Sequence, residues 1–215
     1  MKKNISFITI LFSVMIAISC KKDNFNYPEG KVGISKITYY IDIAPKGAAL
    51  KVINKGDTYT DEGAISTAGG KDAPYKPSGT VNSAVPGIYV IDYAATNEDG
   101  FSSSAYRTVV VMDPAATTKD LSGTYTRSTN GRASVWTKTA PGVYSVTNPG
   151  GAAVPPISVV VVNYSGNNIA IPQQETSAGT FSSSNGIYNP AGPSYSWNIA
   201  NGGYGQQSRT FNKQP

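Results

Sequence analysis

Tyr188, Tyr195, Trp197 and Tyr204 sit near the C-terminus among Asn189, Asn198, Asn201, Gln206 and Gln207. That mixture can recognise sugars, because the weakly positive C–H face of a sugar ring lies on an aromatic face while amide side chains bond the hydroxyls. Tyr195 and Trp197 fall on one face of a strand by its period of two. Trp136 is the other tryptophan that could join such a platform. These aromatics serve equally well as core. The chain beyond Asp113 has no Met and few Leu, so large rings must fill its interior, and alternating aromatics are what a buried strand face shows.

Catalytic chemistry is poorly supplied. The chain has no histidine, which removes serine–histidine catalysis and the commonest metal ligand. Glycoside hydrolysis needs two facing carboxylates, and after Asp113 only Asp120 and Glu175 remain of the 13 acidic residues. An enzyme would require those two to converge in a pocket. Asp61, Glu62, Asp72, Glu98 and Asp99 lie in expected loops, where oxygen-rich side chains can hold calcium. Their spacing matches no calcium loop, and Asp-Gly and Glu-Asp-Gly are ordinary turn chemistry, so they read as solvated turns. The expectation is a protein with no catalytic residues, no metal and no cofactor.

Cys20 is the one cysteine. Lys2 and Lys3 precede an uncharged apolar run from Ile5 to Ile18, and Ser19-Cys20 closes it. A basic start, an apolar middle and a small-residue processing site make an export signal, since the run is shorter than the roughly 20 residues of a membrane span. A free thiol is a liability in an oxidising compartment and a disulfide needs a second cysteine. Acylation of Cys20 removes both problems. Ile16-Ala17-Ile18-Ser19-Cys20 resembles a relaxed bacterial lipobox, which implies residues 1–19 as a lipoprotein signal peptide and Cys20 as the lipidated first residue of a tether, 20–32. Each buried methylene adds about 0.8 kcal/mol, so two or more acyl chains hold a protein on a membrane almost permanently. Loss of Lys2 and Lys3 lowers the formal charge from +5 to +3. Beyond Lys21-Lys22 the remaining cations are dispersed, so no nucleic-acid footprint is indicated.

Eleven of the 13 acidic residues lie at or before Asp113, and Gly, Ser, Asn and aromatics fill the rest. The shift separates one domain over 33–113 from another over 119–215, joined by a polar linker, 114–118, that starts at Pro114. In the first, Ile37, Tyr39, Ile41 and Ile43 alternate, Leu50-Lys51-Val52 continues the pattern, Tyr89, Ile91 and Tyr93 alternate again, and Tyr106 to Met112 is rich in valine. Short strands with close-spaced turns predict a β-sandwich. In the second, strands are expected at Leu121–Arg127, Ala133–Thr137, Gly142–Val146, Ile157–Val162, Asn168–Ile171, Gly179–Phe181, Ser194–Ile199 and Ser208–Phe211. Asn130-Gly131, Pro141-Gly142 and Asn148-Pro149-Gly150-Gly151 punctuate them. The fold class is all-β: a sandwich followed by a small antiparallel meander or barrel-like domain.

Gly56-Asp57-Thr58-Tyr59-Thr60-Asp61-Glu62-Gly63-Ala64, Gly79-Thr80-Val81, Pro86-Gly87-Ile88-Tyr89-Val90-Ile91-Asp92-Tyr93 with Ala94 to Gly100, and Arg107-Thr108-Val109-Val110-Val111 resemble the immunoglobulin-like domains repeated in bacterial surface proteins. The resemblance implies a spacer or stalk. No cysteine pair is present, so hydrophobic packing alone is expected to hold this sandwich. Signal, lipidated cysteine, immunoglobulin-like domain and a C-terminal domain opening Leu121-Ser122-Gly123-Thr124-Tyr125 together resemble two-domain surface lipoproteins of gut-type Gram-negative bacteria, many of which accompany starch-utilisation-type (Sus-type) glycan uptake systems. What this implies is a non-catalytic accessory at the outer membrane or cell surface, partnered by membrane through its lipid, by glycan and by outer-membrane proteins, with no nucleic acid. A structural or assembly subunit with protein partners only is the alternative, and a carbohydrate-active enzyme the third.

Overall fold

The computed structural model describes residues 28, 31–32, 35–153 and 157–215. The expected signal 1–19, Cys20 and most of the expected tether lie outside the described residues. The described chain divides after Tyr39. Before that point, β1 (Lys31–Val32) and β2 (Ser35–Lys36) form a two-stranded antiparallel pair. The strand expected from Ile37 starts later, at Ile41, and Ile37 and Tyr39 lie before it, exposed.

From Tyr40 the chain builds two sheets. β3 (Ile41–Pro45), β5 (Ala64–Ala68) and β6 (Lys71–Asp72) make one, and β4 (Leu50–Asn54), β9 (Ser102–Met112), β8 (Gly87–Thr96) and β7 (Lys76–Ser78) make the other, in that order. The chain changes sheets at Pro45-Lys46-Gly47. Gly47 has φ +82°, and a Cβ there would meet the Glu62 carboxylate at 2.4 Å, so the crossing needs glycine. β4 then pairs in parallel with β9, while β8 and β9 form a long antiparallel hairpin. Ile41, Ile91, Tyr93, Ala95, Val109 and Val111 are buried. The run Val109-Val110-Val111-Met112 is apolar without alternation because both its faces are covered. Val110 and Met112 cluster with Val162 and Ala170, which belong to the next group of strands.

The link at 114–118 is short and folded. Asp113 N–H donates to Tyr164 O at 2.8 Å, Ala116–Thr118 forms one 3-10 turn, and Ala116 is buried. Nine strands follow: β10 (Gly123–Arg127), β11 (Ala133–Ala140), β12 (Val143–Thr147), β13 (Ser158–Ser165), β14 (Asn168–Ala170), β15 (Gln174–Thr176), β16 (Gly179–Asn189), β17 (Ser194–Ala200) and β18 (Ser208–Lys213). Their order is β14-β13-β12-β11-β10-β18-β17-β16-β15, and β14 also pairs with β16. That last pairing closes eight antiparallel strands into a barrel, with β15 flanking β16. Closure removes the free edges that invite aggregation.

The closing contact has a local cause. The register of β16 slips between Ser184 and Ile187, Asn185 takes φ +54°, and a Cβ on Gly186 would meet Ile169 O at 2.0 Å. A bulge with glycine at the closest approach brings β16 against the short β14. Inward positions carry Tyr125, Trp136, Tyr144, Val146, Val159, Val161, Ile169, Phe181, Tyr195, Trp197, Ile199 and Phe211, which form one continuous core. The barrel is therefore filled by its own side chains.

Candidate functional site

The structure takes most of the expected aromatic platform into the core. Trp197, Tyr195 and Trp136 are 0%, 1% and 2% exposed. They are corrected from candidate ligand residues to packing residues, because closing the barrel turns the face that Tyr195 and Trp197 share inward. Trp136 stacks on Trp197 at 5.7 Å and 16°, and Tyr195 stacks on Phe211 at 4.7 Å and 9°. Two of the three polar tips are satisfied inside: Trp197 Nε1 donates to Pro149 O at 3.1 Å and Tyr195 OH donates to Ser134 Oγ at 2.9 Å, while Trp136 Nε1 is buried without a hydrogen-bond partner.

Tyr188 and Tyr204 are only partly buried, and they do not meet. Tyr188 lies beside Tyr195 where β16 ends, while Tyr204 lies in the loop between β17 and β18, edge-on to Phe181 at 5.1 Å. The amides expected to bond sugar hydroxyls hold loops instead. Asn198 donates to Gln206 O at 2.8 Å, and Asn201 donates to Ala178 O and Thr180 O at 2.9 and 3.0 Å.

The carboxylates also separate. Asp120 precedes β10, at the barrel end where β16 finishes, and its carboxylate accepts from Ser122 N–H at 2.9 Å. Glu175 pairs with Thr180 at the start of β16. Thr180 and Ile187 stand about 20 Å apart along that strand, so no pocket unites the two acids. Asp61 is not a solvated turn residue. It accepts from Tyr59 and Tyr93 hydroxyls, from Gly63 N–H and from the fully buried Arg107 guanidinium. Burial alone would raise its pKa, but the hydrogen bonds from Tyr93, Tyr59 and Gly63 and the charge of Arg107 leave it lowered. Glu62 pairs with Lys51. Among the described residues, no group of three acidic or sulfur ligands converges as a metal site.

What the fold does assemble is a groove of 520 Å³ where sandwich and barrel meet. Its floor is mainly apolar, from Pro45, Ala49, Leu50 and Val160, and its polar side is Tyr106, Gln173 and Glu175. Tyr106 reaches the groove from the middle of β9, and Glu175 from β15. Tyr106 OH and Thr180 Oγ1 both donate to Glu175 Oε1, at 2.7 and 2.8 Å. Burial, and then the adjoining Glu175 carboxylate, push the Tyr106 hydroxyl up to about 12. Thr108 Oγ1 fixes the neighbouring backbone by donating to Gln173 O at 2.9 Å. The Gln174 amide takes over where β14 stops, accepting from Val160 N–H at 2.8 Å and donating to Val160 O at 2.9 Å. One carboxylate oxygen is thus held by two hydroxyls beside an apolar floor. Volume and lining fall within the usual range for a small-ligand cleft.

Sequence reasoning had picked out Glu175, but as a partner of Asp120. It missed Tyr106, which stood at the head of a strand-forming run and is 69 residues away in sequence. No local pattern reports such a pairing.

Residues 43–111 match the family described as bacterial surface protein, Ig-like domain. The sandwich is thus immunoglobulin-like in fold, and over these residues it is similar to that family. No curated protein matches the chain. Among solved structures, the lipoprotein BT2262 from Bacteroides thetaiotaomicron is 25% identical, over 81% of this chain and 100% of that one, with a TM-score of 0.37.

Proposed function

We propose that this chain is a lipid-tethered, non-catalytic accessory at the surface of a Gram-negative bacterium, and that the groove between sandwich and barrel holds a glycan. The surface-type immunoglobulin-like domain and the lipobox-like segment ending at Cys20 support the location. The observation that carries the ligand is the pairing of Tyr106 and Glu175 over an apolar floor. A sugar offers a hydroxyl edge for the carboxylate and an apolar face for Leu50 and Val160. In this reading the sandwich is half of the binding site as well as a stalk. Catalysis has no support from the arrangement, since the two late carboxylates lie at opposite barrel ends.

The test is a glycan array probed with the detergent-solubilised mature lipoprotein, repeated with Glu175→Gln and Tyr106→Phe. Binding by the parent that falls at least tenfold in Glu175→Gln supports the groove. A silent array, or binding that both variants retain, overturns it. Acyl labelling in cells, lost on Cys20→Ser, tests the anchor separately.

A structural subunit with protein partners only is the second reading, and one observation favours it. Tyr40 and Phe101 are 65% and 49% exposed and lie 5.2 Å apart between ring centres, Phe101 directly after the β8–β9 turn. Exposed paired aromatics are the anchors that protein interfaces use. Retention of partner proteins in cross-linking, lost on Phe101→Ser, with a silent array would favour this reading.

A further inference from the structure

At the barrel end where β10 finishes, two arginines point inward. Arg127 follows Tyr125 on the inner face of β10, and Arg209 precedes Phe211 on the inner face of β18, with Arg127 directly opposite Phe211. Arg209 is 9% exposed, and Arg127 is half-buried. The turn Asn148–Gly151 crosses this end, tied down by Trp197 through Pro149. Gly151 must be small here, because a Cβ would meet Arg127 Cδ at 2.7 Å.

Both guanidinium groups converge on one carbonyl. Arg209 donates to Gly150 O at 2.7 Å, and Arg127 reaches the same oxygen at 3.4 Å. Arg209 also donates to Tyr204 O and lies 5.1 Å over the Tyr204 ring. The Nε–H of each arginine is buried without a hydrogen-bond partner. Among the described residues neither is ion-paired. Asp120 lies at the other end of the barrel, and Glu175 is held by Tyr106 and Thr180. Arg132, exposed, stands across the hairpin from Arg127 and accepts its backbone N–H.

Two inward cations on one neutral carbonyl, with orphaned donors, are an uncompensated arrangement: like charges repel, and each buried N–H lacks its acceptor. Burial, and then the charge of Arg127, hold Arg209 below its ordinary pKa. A ligand oxyanion supplies what is missing, because a planar guanidinium fork matches a carboxylate or sulfate in a two-point contact. Barrel mouths are also common ligand sites.

We propose that this mouth, built by Arg127, Arg209 and the Gly150 turn, is an oxyanion site that takes a carboxylate or sulfate group carried by an extracellular polymer. Arg127, the more exposed of the two, makes first contact. The incoming oxygens replace Gly150 O as the shared acceptor. The site is separate from the groove and stands without it.

The test is calorimetric binding of the mature lipoprotein to three polymers: polygalacturonate, dextran sulfate and neutral dextran. Binding to polygalacturonate, dextran sulfate or both, at least tenfold tighter than to neutral dextran, is expected, and the stronger of the two identifies the group. Arg127→Gln is expected to lose at least tenfold, while Lys138→Gln, an exposed cation near the other barrel end, is expected to lose less than twofold. No binding by the parent, an unaffected Arg127→Gln, or equal losses in both variants overturns the proposal, the last by revealing diffuse charge attraction. Should Arg127→Gln fail to fold by circular dichroism, phenylglyoxal labelling of the parent decides. Protection of Arg127 by the bound polymer is expected, and labelling unchanged by polymer overturns the site.

Discussion

The sandwich and the barrel are neighbours in one chain and are held by different forces. At the centre of the sandwich lies Arg107, fully buried, donating to Asp61 and to Ala48 O, Lys46 O and Gly63 O. Asp61 in turn gathers Tyr59 and Tyr93. This knot fastens the loop before β5 and the β3–β4 crossing to β9, a job that a cysteine pair could do if the chain had one to spare. The barrel centre is a pile of rings, Trp136, Trp197, Tyr125, Tyr195 and Phe211, in mutual contact. Two of its tyrosine hydroxyls bond backbone at the rim: Tyr125 to Leu121 O at 2.8 Å and Tyr144 to Lys119 O at 2.9 Å. Two thin sheets with few large apolar residues gain their uniqueness from a geometry-demanding ion pair, whereas a closed eight-strand barrel gains it from volume. Salt and acid should therefore act on the first region, and cavities on the second.

The largest effect expected is from Trp197→Ala. It empties the centre of the ring stack and frees Pro149 O, and truncation of a buried tryptophan costs about 4 kcal/mol. Urea unfolding followed by far-ultraviolet circular dichroism measures it. A loss below about 1 kcal/mol would mean that the rings are not what holds the barrel.

Next is Asp61→Asn, which leaves Arg107 buried with no counter-charge at a cost of about 3 kcal/mol. The same carboxylate makes the parent acid-sensitive. Its folded pKa is lowered, so its contribution is fully present above the ordinary carboxylate value of about 4 and is lost as pH falls through the lower folded value. Stability of the parent is expected to drop below about pH 4, and Asp61→Asn to show a flatter acid limb. An equally steep limb in the variant would assign the acid sensitivity elsewhere.

Between these two regions, Met112→Ala asks whether they unfold together. Met112 is 1% exposed at the end of β9, clustered with Val162 and Ala170 of the barrel, and its Cε comes within 2.5 Å of a Cβ position at Gly142. The expected loss is about 2 kcal/mol, with a single transition seen both by tryptophan fluorescence, which reports the barrel, and by hydrogen exchange of the β8–β9 amides, which reports the sandwich. Two separated transitions would show that the shared cluster is too small to couple them.

Elements with local signatures could be read from sequence. The alternation in Tyr89-Val90-Ile91-Asp92-Tyr93 gave β8, and the glycine turns fell where hairpins turn. The unalternating Val109–Met112 run had its reason in a second neighbour, the barrel, that period-two reasoning does not see. Trp136 and Trp197 carried two readings because alternation specifies a face and leaves open whether that face is outside or inside. Closure decided it, and closure rests on a bulge at Asn185-Gly186 and a three-residue β14, features without a pattern of their own. The Asp61–Arg107 knot and the Tyr106–Glu175 contact join residues 46 and 69 positions apart. Asp61 resembled a turn residue for that reason, since its partner was out of view.

The smallest effect expected is at the seam. Tyr106→Phe removes one hydroxyl from Glu175 and leaves Thr180 as its remaining donor, costing about 1 kcal/mol. Its alkaline signature is more specific than its size. The folded Tyr106 hydroxyl is pushed up to about 12, above the ordinary value of about 10, so the stability it contributes is present below pH about 10 and is lost as pH rises toward the folded value. Tyr59 and Tyr93 in the sandwich and Tyr125, Tyr144 and Tyr195 in the barrel are also shifted upward, chiefly by burial, so both regions weaken in alkali and the parent's curve combines them with the seam. Subtracting the Tyr106→Phe curve from the parent's isolates the seam, and Glu175→Gln distinguishes the causes. If the carboxylate contributes as argued, that variant lowers the Tyr106 titration seen in tyrosinate absorbance without reaching the ordinary value, since burial remains. An unmoved titration in Glu175→Gln would show that the barrel's Glu175 does not act on the sandwich's Tyr106, and the groove would lose its polar side.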